Sequence, residues 1–547
     1  MFDNLFNDKK QTINNLYYLI IFIFLSAFFL LLLEKERFRN DELQHIHTSF
    51  LASQGKIPYK DYFDNHTPLY QLLTGFEIKL FNLKPSPDFA VKIRRLSFPL
   101  MIILSIILGL MVRTFFTKIK EKSLAISSLV ISLIPFVAIQ ARPEPIWGAL
   151  FFLSIYLFSF GPPTIKISFL IGLLNGINVC VSLKTLAFIV LPQLLTFPIL
   201  AIFYPTGSIF MCALTFIIGF LIFPFILLIY FNHLRALNEF FNFGIFYTIS
   251  TGGEKVNIIL ITTTIIITLV IVYFFVKRFK EKLSPNSALF FTIFIFSSII
   301  FGFFPVKESQ TRFPFLTAFY LLVSVLIVSI IWKFFKNEWL RKIILLSVIL
   351  SILSVRIITE RLFKNNNADY YNELKVLMAL QLPGKGTVMD SKGESIFWER
   401  PFYYALETFT IRGINSGIIK DTIAESLSQK STPVVYNKYF FRFTQKDLDF
   451  FNENYLPLCK TPSIMVLGKK INTKDFELKI PLNYKLICYG GKPAIGVLDG
   501  RTYRGENIFL SKGKHSFITA DKCKEILIIW SSALQTKAMP CGYEEMK

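Results

Sequence analysis

Apolar runs long enough to cross a lipid bilayer recur through the first two thirds of this chain, and nothing else in it constrains the fold as strongly. A bilayer core about 30 Å thick is spanned by roughly 20 mostly apolar residues in a helix. Runs of that kind lie at roughly 14–33, 96–112, 123–140, 145–160, 166–183, 186–203, 208–230, 256–276, 286–304, 313–332 and 342–359, which predicts about eleven transmembrane helices. Composition agrees: 53% of the 547 residues are hydrophobic, 61 of them Phe, and 18% are charged. A soluble globular chain carries about 25% charged residues, so an ordinary cytosolic enzyme is disfavoured. The apolar content also excludes a disordered chain.

The formal net charge is +22, but the cations flank the apolar runs, which points to a membrane rather than to nucleic acid. Arg113, Lys118, Lys120 and Lys122 follow the second run. Lys277, Arg278, Lys280 and Lys282 follow the eighth, and Lys333, Lys336, Arg341 and Lys342 the tenth. These loops fall on one side if every run spans, and the positive-inside rule makes that side cytoplasmic, together with Lys9 and Lys10 at the N-terminus. An odd number of spans then places the chain beyond about residue 360 outside the cytoplasm. The expectation is a multi-pass inner (plasma) membrane protein with a periplasmic, or otherwise extracytoplasmic, C-terminal domain. The first run is too long for a removed signal peptide and lacks a small-residue cleavage site. The expected division is a transmembrane domain over 1–361, with a large first outer loop at 34–94, and an extracytoplasmic domain over 362–547.

The outer loop reads FRNDELQHIHTSFLASQGKIPYKDYFDNHTPLYQLLTGFEIKLF. Asn40 or Asp41 can cap a helix in which Leu43, Ile46, His47, Phe50 and Leu51 share a face. After Pro68, Leu69, Leu72, Leu73, Phe76 and Leu80 follow at helical spacing. Both helices are too short and too polar to span, and are expected to lie in the membrane interface. That holds Asp41, Glu42, Asp61, Asp64 and His66 where headgroups meet water. A carboxylate in that place can take a proton from an acceptor hydroxyl; the plainer alternative is a helix cap among solvated carboxylates. His45 and His47, two apart on a helix, diverge and read as surface residues rather than as ligands of one metal ion.

An Asp-Glu pair just after the first span resembles the GT-C membrane glycosyltransferases. So does Gly55-Lys56-Ile57-Pro58-Tyr59-Lys60-Asp61, as does Phe63-Asp64-Asn65-His66-Thr67-Pro68-Leu69-Tyr70. The likeness is to bacterial enzymes similar to protein O-mannosyltransferases (the dolichyl-phosphate-mannose-protein mannosyltransferase family) and to the lipid A aminoarabinose transferase. Arg142-Pro143-Glu144-Pro145 and Gln310-Thr311-Arg312-Phe313-Pro314-Phe315-Leu316 fall on the same outer side and add to it. Where Arg312-Phe313-Pro314 stands, the family more often has a Tyr-rich stretch.

The resemblance covers about residues 14–330. It implies an all-α polytopic membrane domain of GT-C type followed by a C-terminal extracytoplasmic α/β or β domain. It also implies transfer of a sugar from a polyisoprenyl phosphate carrier to an extracytoplasmic lipid, glycan or protein acceptor, with inversion. Asp41 matches the family's catalytic carboxylate, and Glu42 sits beside it in the same motif.

That chemistry needs a base on one face of the anomeric carbon and cations at the departing phosphate. One carboxylate suffices, because a phosphate leaves without protonation, and fixed cations act most strongly in a poorly hydrated site. Asp41 is the expected base. The candidate phosphate and substrate ligands are Asp61, Asp64, His66, Arg95, Arg142, Glu144, Lys184, Lys307, Gln310 and Arg312. Arg142 and Lys184 interrupt strongly apolar sequence, where a cation at mid-membrane costs about 2.5–3.5 kcal/mol. Plainer explanations are snorkelling for Lys184, an ion pair with Glu144 for Arg142, and rim charges for Lys307 and Arg312. These motifs call for no metal ion and no organic cofactor besides the lipid-linked donor. No Walker loop, helix-leading GxGxxG or Ser/His/Asp order is present, which disfavours a nucleotide-sugar donor.

Past residue 362 the sequence turns mixed. A helix near 368–382, the turn Pro383-Gly384-Lys385-Gly386 and a strand at Thr387–Asp390 suggest an α/β unit. A further helix is expected at Gln445–Asn454. Strands are expected at Leu486–Tyr489, Ile495–Leu498, Ile508–Leu510, Ser516–Thr519 and Ile526–Trp530, the last 70 or so residues forming a small β-sandwich. Cys459, Cys488, Cys523 and Cys541 allow three pairings and at least one disulfide, while Cys180 and Cys212 read as packing residues. Two other function classes fit such a chain: a transporter or flippase of a lipid-linked glycan, and a non-catalytic membrane scaffold.

Overall fold

The computed structural model describes residues 2–115, 122–133, 139–158, 163–204, 208–247, 258–278, 285–303, 313–359, 367–520, 523, 525–536, 539–541 and 543. Among the described residues, each apolar run expected to span carries helix. In chain order the first ten helices are α1 (Phe2–Leu32), α2 (Asn40–Ser53), α3 (Leu69–Leu80), α4 (Phe89–Phe115), α5 (Ser123–Leu133), α6 (Glu144–Phe158), α7 (Ile165–Val181), α8 (Leu191–Leu194), α9 (Thr196–Phe203) and α10 (Ser208–His233). Four more long apolar helices cover Ile258–Arg278, Pro285–Phe303, Phe313–Phe334 and Glu338–Thr359. Among the described residues, five stretches are long and apolar enough to cross a membrane by themselves: Phe89–Thr114, Leu186–Phe203, Ser208–His233, Leu316–Phe334 and Glu338–Thr359. The run at 186–203 is irregular. It opens as a π-helix over Leu186–Val190 before α8 and α9, and Pro192 and Pro198 each remove an N–H from the ladder.

Helices α7 and α10 are in close backbone contact. A methyl group on Gly172 would come to 2.1 Å from the Phe216 carbonyl oxygen, and one on Gly176 to 2.4 Å from that of Phe220. This is the Gly-x-x-x-Gly spacing by which apolar helices pack when lipid supplies no hydrophobic driving force. The outward face of α10 carries exposed Phe210, Leu221, Phe225 and Ile229.

The bundle has two chemically distinct ends. At one, Tyr18 lies 6.4 Å from Trp332, and Lys122 and Arg341 stand over the same indole ring, with Lys342 over Tyr17. Two of the three basic loops that the sequence assigns to one side, those of Lys122 and of Arg341 and Lys342, therefore share an end. At the other end α1 runs out at Leu33 beneath α2 and the C-terminal domain.

There the structure departs from expectation. Instead of lying in the interface, α2 is buried from Glu42 to Leu51, polar residues included. Phe50, Phe89 and Phe397 stack edge to face at 5.1–5.8 Å, and Phe38 meets Tyr370 at 5.4 Å. One hydrophobic core thus joins the outer loop to the C-terminal domain. The alternating polar residues of α2 face protein on every side, which a single-face amphipathic pattern does not anticipate. Helix α3 keeps the expected outward stripe, with Leu73, Phe76 and Leu80 exposed.

The C-terminal domain has the expected helices at Ala368–Leu380 and Gln445–Asn454. Its strands are β1 (Val388–Met389), β2 (Val434–Tyr436), β3 (Tyr455–Pro457), β4 (Ile464–Ile471), β5 (Asp475–Leu478), β6 (Leu482–Cys488), β7 (Gly496–Leu498), β8 (Arg501–Tyr503), β9 (Ile508–Leu510), β10 (Gly513–Thr519) and β11 (Ile526–Trp530). They form one seven-stranded sheet, ordered β1-β2-β4-β11-β6-β9 with β3 on β4, and one four-stranded sheet, β5-β10-β7-β8. The expected free-standing sandwich is corrected: β11, β6 and β9 continue the sheet begun by β1, because β4 is long enough to pair on both edges. Two disulfides close the domain, Cys459–Cys541 and Cys488–Cys523. Cys180 and Cys212 are free and buried.

Candidate functional site

Helix α2 starts at Asn40, one residue earlier than a cap at Asn40 requires and two earlier than a cap at Asp41. Arg39 takes the cap position with extended backbone and no side-chain capping bond, so Asp41 and Glu42 both sit in the first turn. Acidic side chains there are favoured by the helix dipole. A step of one residue turns the two carboxylates in different directions.

Glu42 is sealed in the protein. Its two oxygens accept from Nε and Nη2 of Arg94, both at 2.6 Å, and one also accepts from the Ala141 N–H at 2.9 Å. Arg94 is equally buried and spends its remaining donors on the carbonyls of Leu33 and Glu36, each at 2.7 Å, and of Arg37 at 3.3 Å. Four segments, the turn after α1, α2, α4 and the bend before α6, meet on this one ion pair.

Asp41 faces two other cations. Arg142, 4% exposed, reaches Oδ2 at 3.5 Å and holds Glu144 at 3.2 Å. Lys392, from the C-terminal domain, donates to Oδ1. Burial works against charge on Asp41, but Lys392 and Arg142 together outweigh it and hold the carboxyl well below the usual carboxylate range. The Asp41 side chain nevertheless keeps 29% of its surface open, whereas Glu42 keeps none.

Lys392 is presented by a rigid loop, Asp390-Ser391-Lys392-Gly393-Glu394-Ser395, that follows β1. Asp390 accepts from the N–H groups of Gly393 and Ser395, each at 2.8 Å, and from the Ser395 hydroxyl at 2.6 Å. Glu394 accepts from the Ser391 hydroxyl at 2.6 Å and the Lys392 N–H at 2.8 Å. The loop is pinned to α2: His47 Nδ1 lies 2.8 Å from the Ile396 carbonyl oxygen. Gly393 adopts φ +106°, and a Cβ there would meet the His47 ring at 2.7 Å. Burial, with Arg400 nearby, pushes the His47 imidazole down to about 4, so it stays neutral in this role.

A second polar group flanks the first. His45 stacks edge-on against His66 at 4.7 Å and Tyr70 at 5.5 Å. His66 Nδ1 lies 2.7 Å from Asp64, which is 1% exposed. Burial opposes a charge on His66, and Asp64 reverses that, raising its proton affinity. His45, buried and facing His66 and Arg142, is pushed well below the ordinary imidazole range. Glu407 of the C-terminal domain accepts from Gln44 and, at 2.6 Å, from Asn65.

The sequence-based candidates therefore separate. Asp41, Arg142 and Glu144 come together, with Asp64 and His66 adjoining through His45. Lys184 is half-buried after α7, close enough to His66 to lower its proton affinity. Asp61 stands apart: its carboxylate accepts the Ile57 N–H at 2.7 Å and closes the turn that carries Tyr59 at φ +67°. Arg95 pairs with Glu34 at the surface. Lys307, Gln310 and Arg312 lie outside the described residues. His45 and His47 are buried rather than at the surface. Sequence reasoning missed Lys392, Arg94 and Glu407. For Lys392 a signal existed: a polar Asp-Ser-Lys-Gly-Glu-Ser loop just past a strand that enters a parallel pair, where α/β sheets place ligands.

No protein-family model matches the chain, and no curated protein sequence does. A solved structure does share its fold: the crystal structure of ArnT from Cupriavidus metallidurans bound to undecaprenyl phosphate. The TM-score is 0.52, with 9% identical residues, over 82% of this chain and 97% of that one. At that identity the likeness is one of fold, and it agrees with the architecture of an apolar helical bundle followed by a C-terminal β-sheet domain.

Proposed function

We propose that this chain is a membrane glycosyltransferase that moves a sugar from a polyisoprenyl-phosphate donor to a hydroxyl on an extracytoplasmic acceptor. One observation carries the reading: a partly open carboxylate, Asp41, faces two nearly buried cations, Arg142 and Lys392, where the apolar bundle meets the C-terminal domain. The lipid tail of such a donor belongs in the bundle and its phosphate at that junction. The ArnT structure of the same fold was obtained with undecaprenyl phosphate bound, which supports this class of partner.

In the proposed step the acceptor oxygen attacks the anomeric carbon while its proton passes to Asp41. The bond from that carbon to the phosphate oxygen breaks, and its electron pair leaves with the polyprenyl phosphate. Arg142 and Lys392 face the charge that develops there. Glu42, saturated by Arg94 and Ala141, holds α2 in place rather than meeting substrate. Asp64 and His66 line the same side and orient the donor or acceptor. The eleven spans, the extracytoplasmic side of the C-terminal domain and the inner-membrane location belong to this proposal. The two disulfides support it, since they persist in oxidising compartments.

The test is Asp41→Asn with the envelope glycans followed by mass spectrometry. Transfer should fall by about a thousandfold, at the level expected when a positioned base is lost, while the variant still accumulates in the membrane. Cysteine-accessibility labelling at position 41 should report the extracytoplasmic side. Labelling from the cytoplasm would end the proposal.

A further inference from the structure

The placement of Lys392 suggests more than a second cation. It comes from the C-terminal domain, and its side chain is 7% exposed. Its loop is closed on itself by Asp390 and Glu394 and anchored to α2 through His47. Its side chain ends on the same carboxylate that Arg142 reaches at 3.5 Å. In the free protein Lys392 is thus neutralised by the proposed base itself, and Arg142 is shared between that base and Glu144, 3.2 Å away.

We propose that Asp41 is the resident counter-ion of a phosphate site formed by Arg142 and Lys392, and that the phosphate of a lipid-linked donor must displace it before Asp41 can act. The inference rests on the donor reading above and adds an order of events to it. A lipid phosphate, whether the diester of the donor or the monoester that leaves, presents the same kind of anionic oxygen to a guanidinium and an ammonium as a carboxylate does. Two anions crowded against two cations in a poorly hydrated pocket compete for them. When the phosphate takes Lys392 and Arg142, the carboxylate loses the partners that hold its proton affinity down, and becomes a better base. The donor would then precede the acceptor, and the base would stay weak while the site is empty. The C-terminal domain, by supplying Lys392, becomes part of the site.

The prediction is counterintuitive, because removing the catalytic carboxylate should improve donor binding. The experiment uses the full-length purified protein and titrates undecaprenyl phosphate, with undecaprenol as the phosphate-free control. Wild type is compared with Asp41→Asn, Lys392→Gln, Lys392→Arg and the Asp41→Asn/Lys392→Gln pair. Asp41→Asn should bind the phosphate about tenfold more tightly, and Lys392→Gln at least about tenfold more weakly, in line with the loss of one desolvated charge partner. Lys392→Arg, which keeps the charge, should bind within a few-fold of wild type. The Asn substitution should gain less in the Gln background than alone, because one contested cation is gone. None of these changes should appear with undecaprenol.

If wild type binds the phosphate and transfers sugar, yet Asp41→Asn binds equally or more weakly, the displacement idea is overturned and the donor reading stands. A gain that persists in full in the Lys392→Gln background also overturns it, since Lys392 would then not be contested. If wild type binds undecaprenol and undecaprenyl phosphate alike, both ideas fall together. Loss of binding in Lys392→Gln with retention in Lys392→Arg supports the proposal even if the Asn variant is poorly folded.

Discussion

Asp41 and Glu42 are neighbours in one helical turn and carry the same functional group, yet the fold treats them in opposite ways. Glu42 has no exposed surface and two short bonds to Arg94, itself fully buried. Asp41 takes one direct contact from Lys392 and a long one, 3.5 Å, from Arg142, cations of two other segments, and remains partly open. The difference shows how a structure distinguishes a fastening from a reactive group. Where every lone pair is met internally, as at Glu42, nothing is left for a substrate. Where charges are balanced by groups that an incoming anion could also claim, as at Asp41, the balance can be disturbed.

The largest effects should split the pair cleanly. Asp41→Asn is expected to remove transfer and to lower the melting temperature less than Glu42→Ala does, because the amide oxygen can still accept from Lys392 and Arg142 keeps Glu144. Glu42→Ala should do the reverse first. Arg94 would be left as an uncompensated charge in the interior, at a cost of about 3–5 kcal/mol, read as a lowered melting temperature and poor accumulation in membranes. A Glu42→Ala variant that melts like wild type but has lost transfer would reverse the assignment of the two residues.

A double replacement sharpens the point. Exchanging a buried ion pair for apolar side chains of similar size is often neutral, so Glu42→Leu with Arg94→Met should regain part of the stability lost by Glu42→Ala. It should not regain all of it. Arg94 also satisfies the Leu33 and Glu36 carbonyls, and each buried acceptor left unmet costs about 1–3 kcal/mol. Full recovery in the melting curve would mean that those carbonyls find other donors and that the anchor is the ion pair alone.

The open side is expected to respond more gently, through position rather than burial. Gly393→Ala places a side chain in left-handed backbone and against the His47 ring. Strain of that kind is worth about 1–3 kcal/mol, and the loop relieves it by lifting off α2, carrying Lys392 with it. Transfer should fall about tenfold, on the scale of 1.36 kcal/mol per factor of ten, with a smaller change in melting temperature than Glu42→Ala produces. If melting drops and transfer per folded molecule is unchanged, the loop is structural only.

The sequence made one half of this comparison legible. The apolar runs, the helices at Ala368–Leu380 and Gln445–Asn454 and most strands follow from periodicity and turn residues, which are local signals. Asp41, Arg142 and Glu144 could be singled out because charges interrupting apolar sequence require an explanation. What periodicity does not carry is the partner across the fold. Lys392 lies 351 residues from Asp41 and Glu407 lies 363 from Gln44. Burial of α2 depends on a domain folding over it, so an amphipathic pattern read by itself gave an interface helix. Arg94 looked like one of two adjacent arginines, and only packing separates it from the exposed Arg95.

The smallest expected effect concerns a third carboxylate, and it tests whether the sealed and open classes have an intermediate. Asp64 is buried like Glu42, but its partner His66 keeps 28% of its surface and can lose its proton. His66 is faced by Asp64, Glu407, Lys184 and His45, and the two carboxylates prevail. Its proton affinity in the folded chain is therefore raised above the unfolded value of about 6.5. The stabilisation it gives is complete below that value and is lost as pH rises through the higher folded one. Asp41 runs the other way: lowered in the folded chain, it contributes above the usual carboxylate range, and that contribution is lost as pH falls through its folded value. The melting temperatures of wild type and His66→Asn should accordingly differ most near about pH 6 and converge by about pH 9, beyond the range in which imidazoles titrate. A gap that is constant across that range would make His66 a neutral hydrogen-bonding group, and Asp64 a sealed fastening in the manner of Glu42.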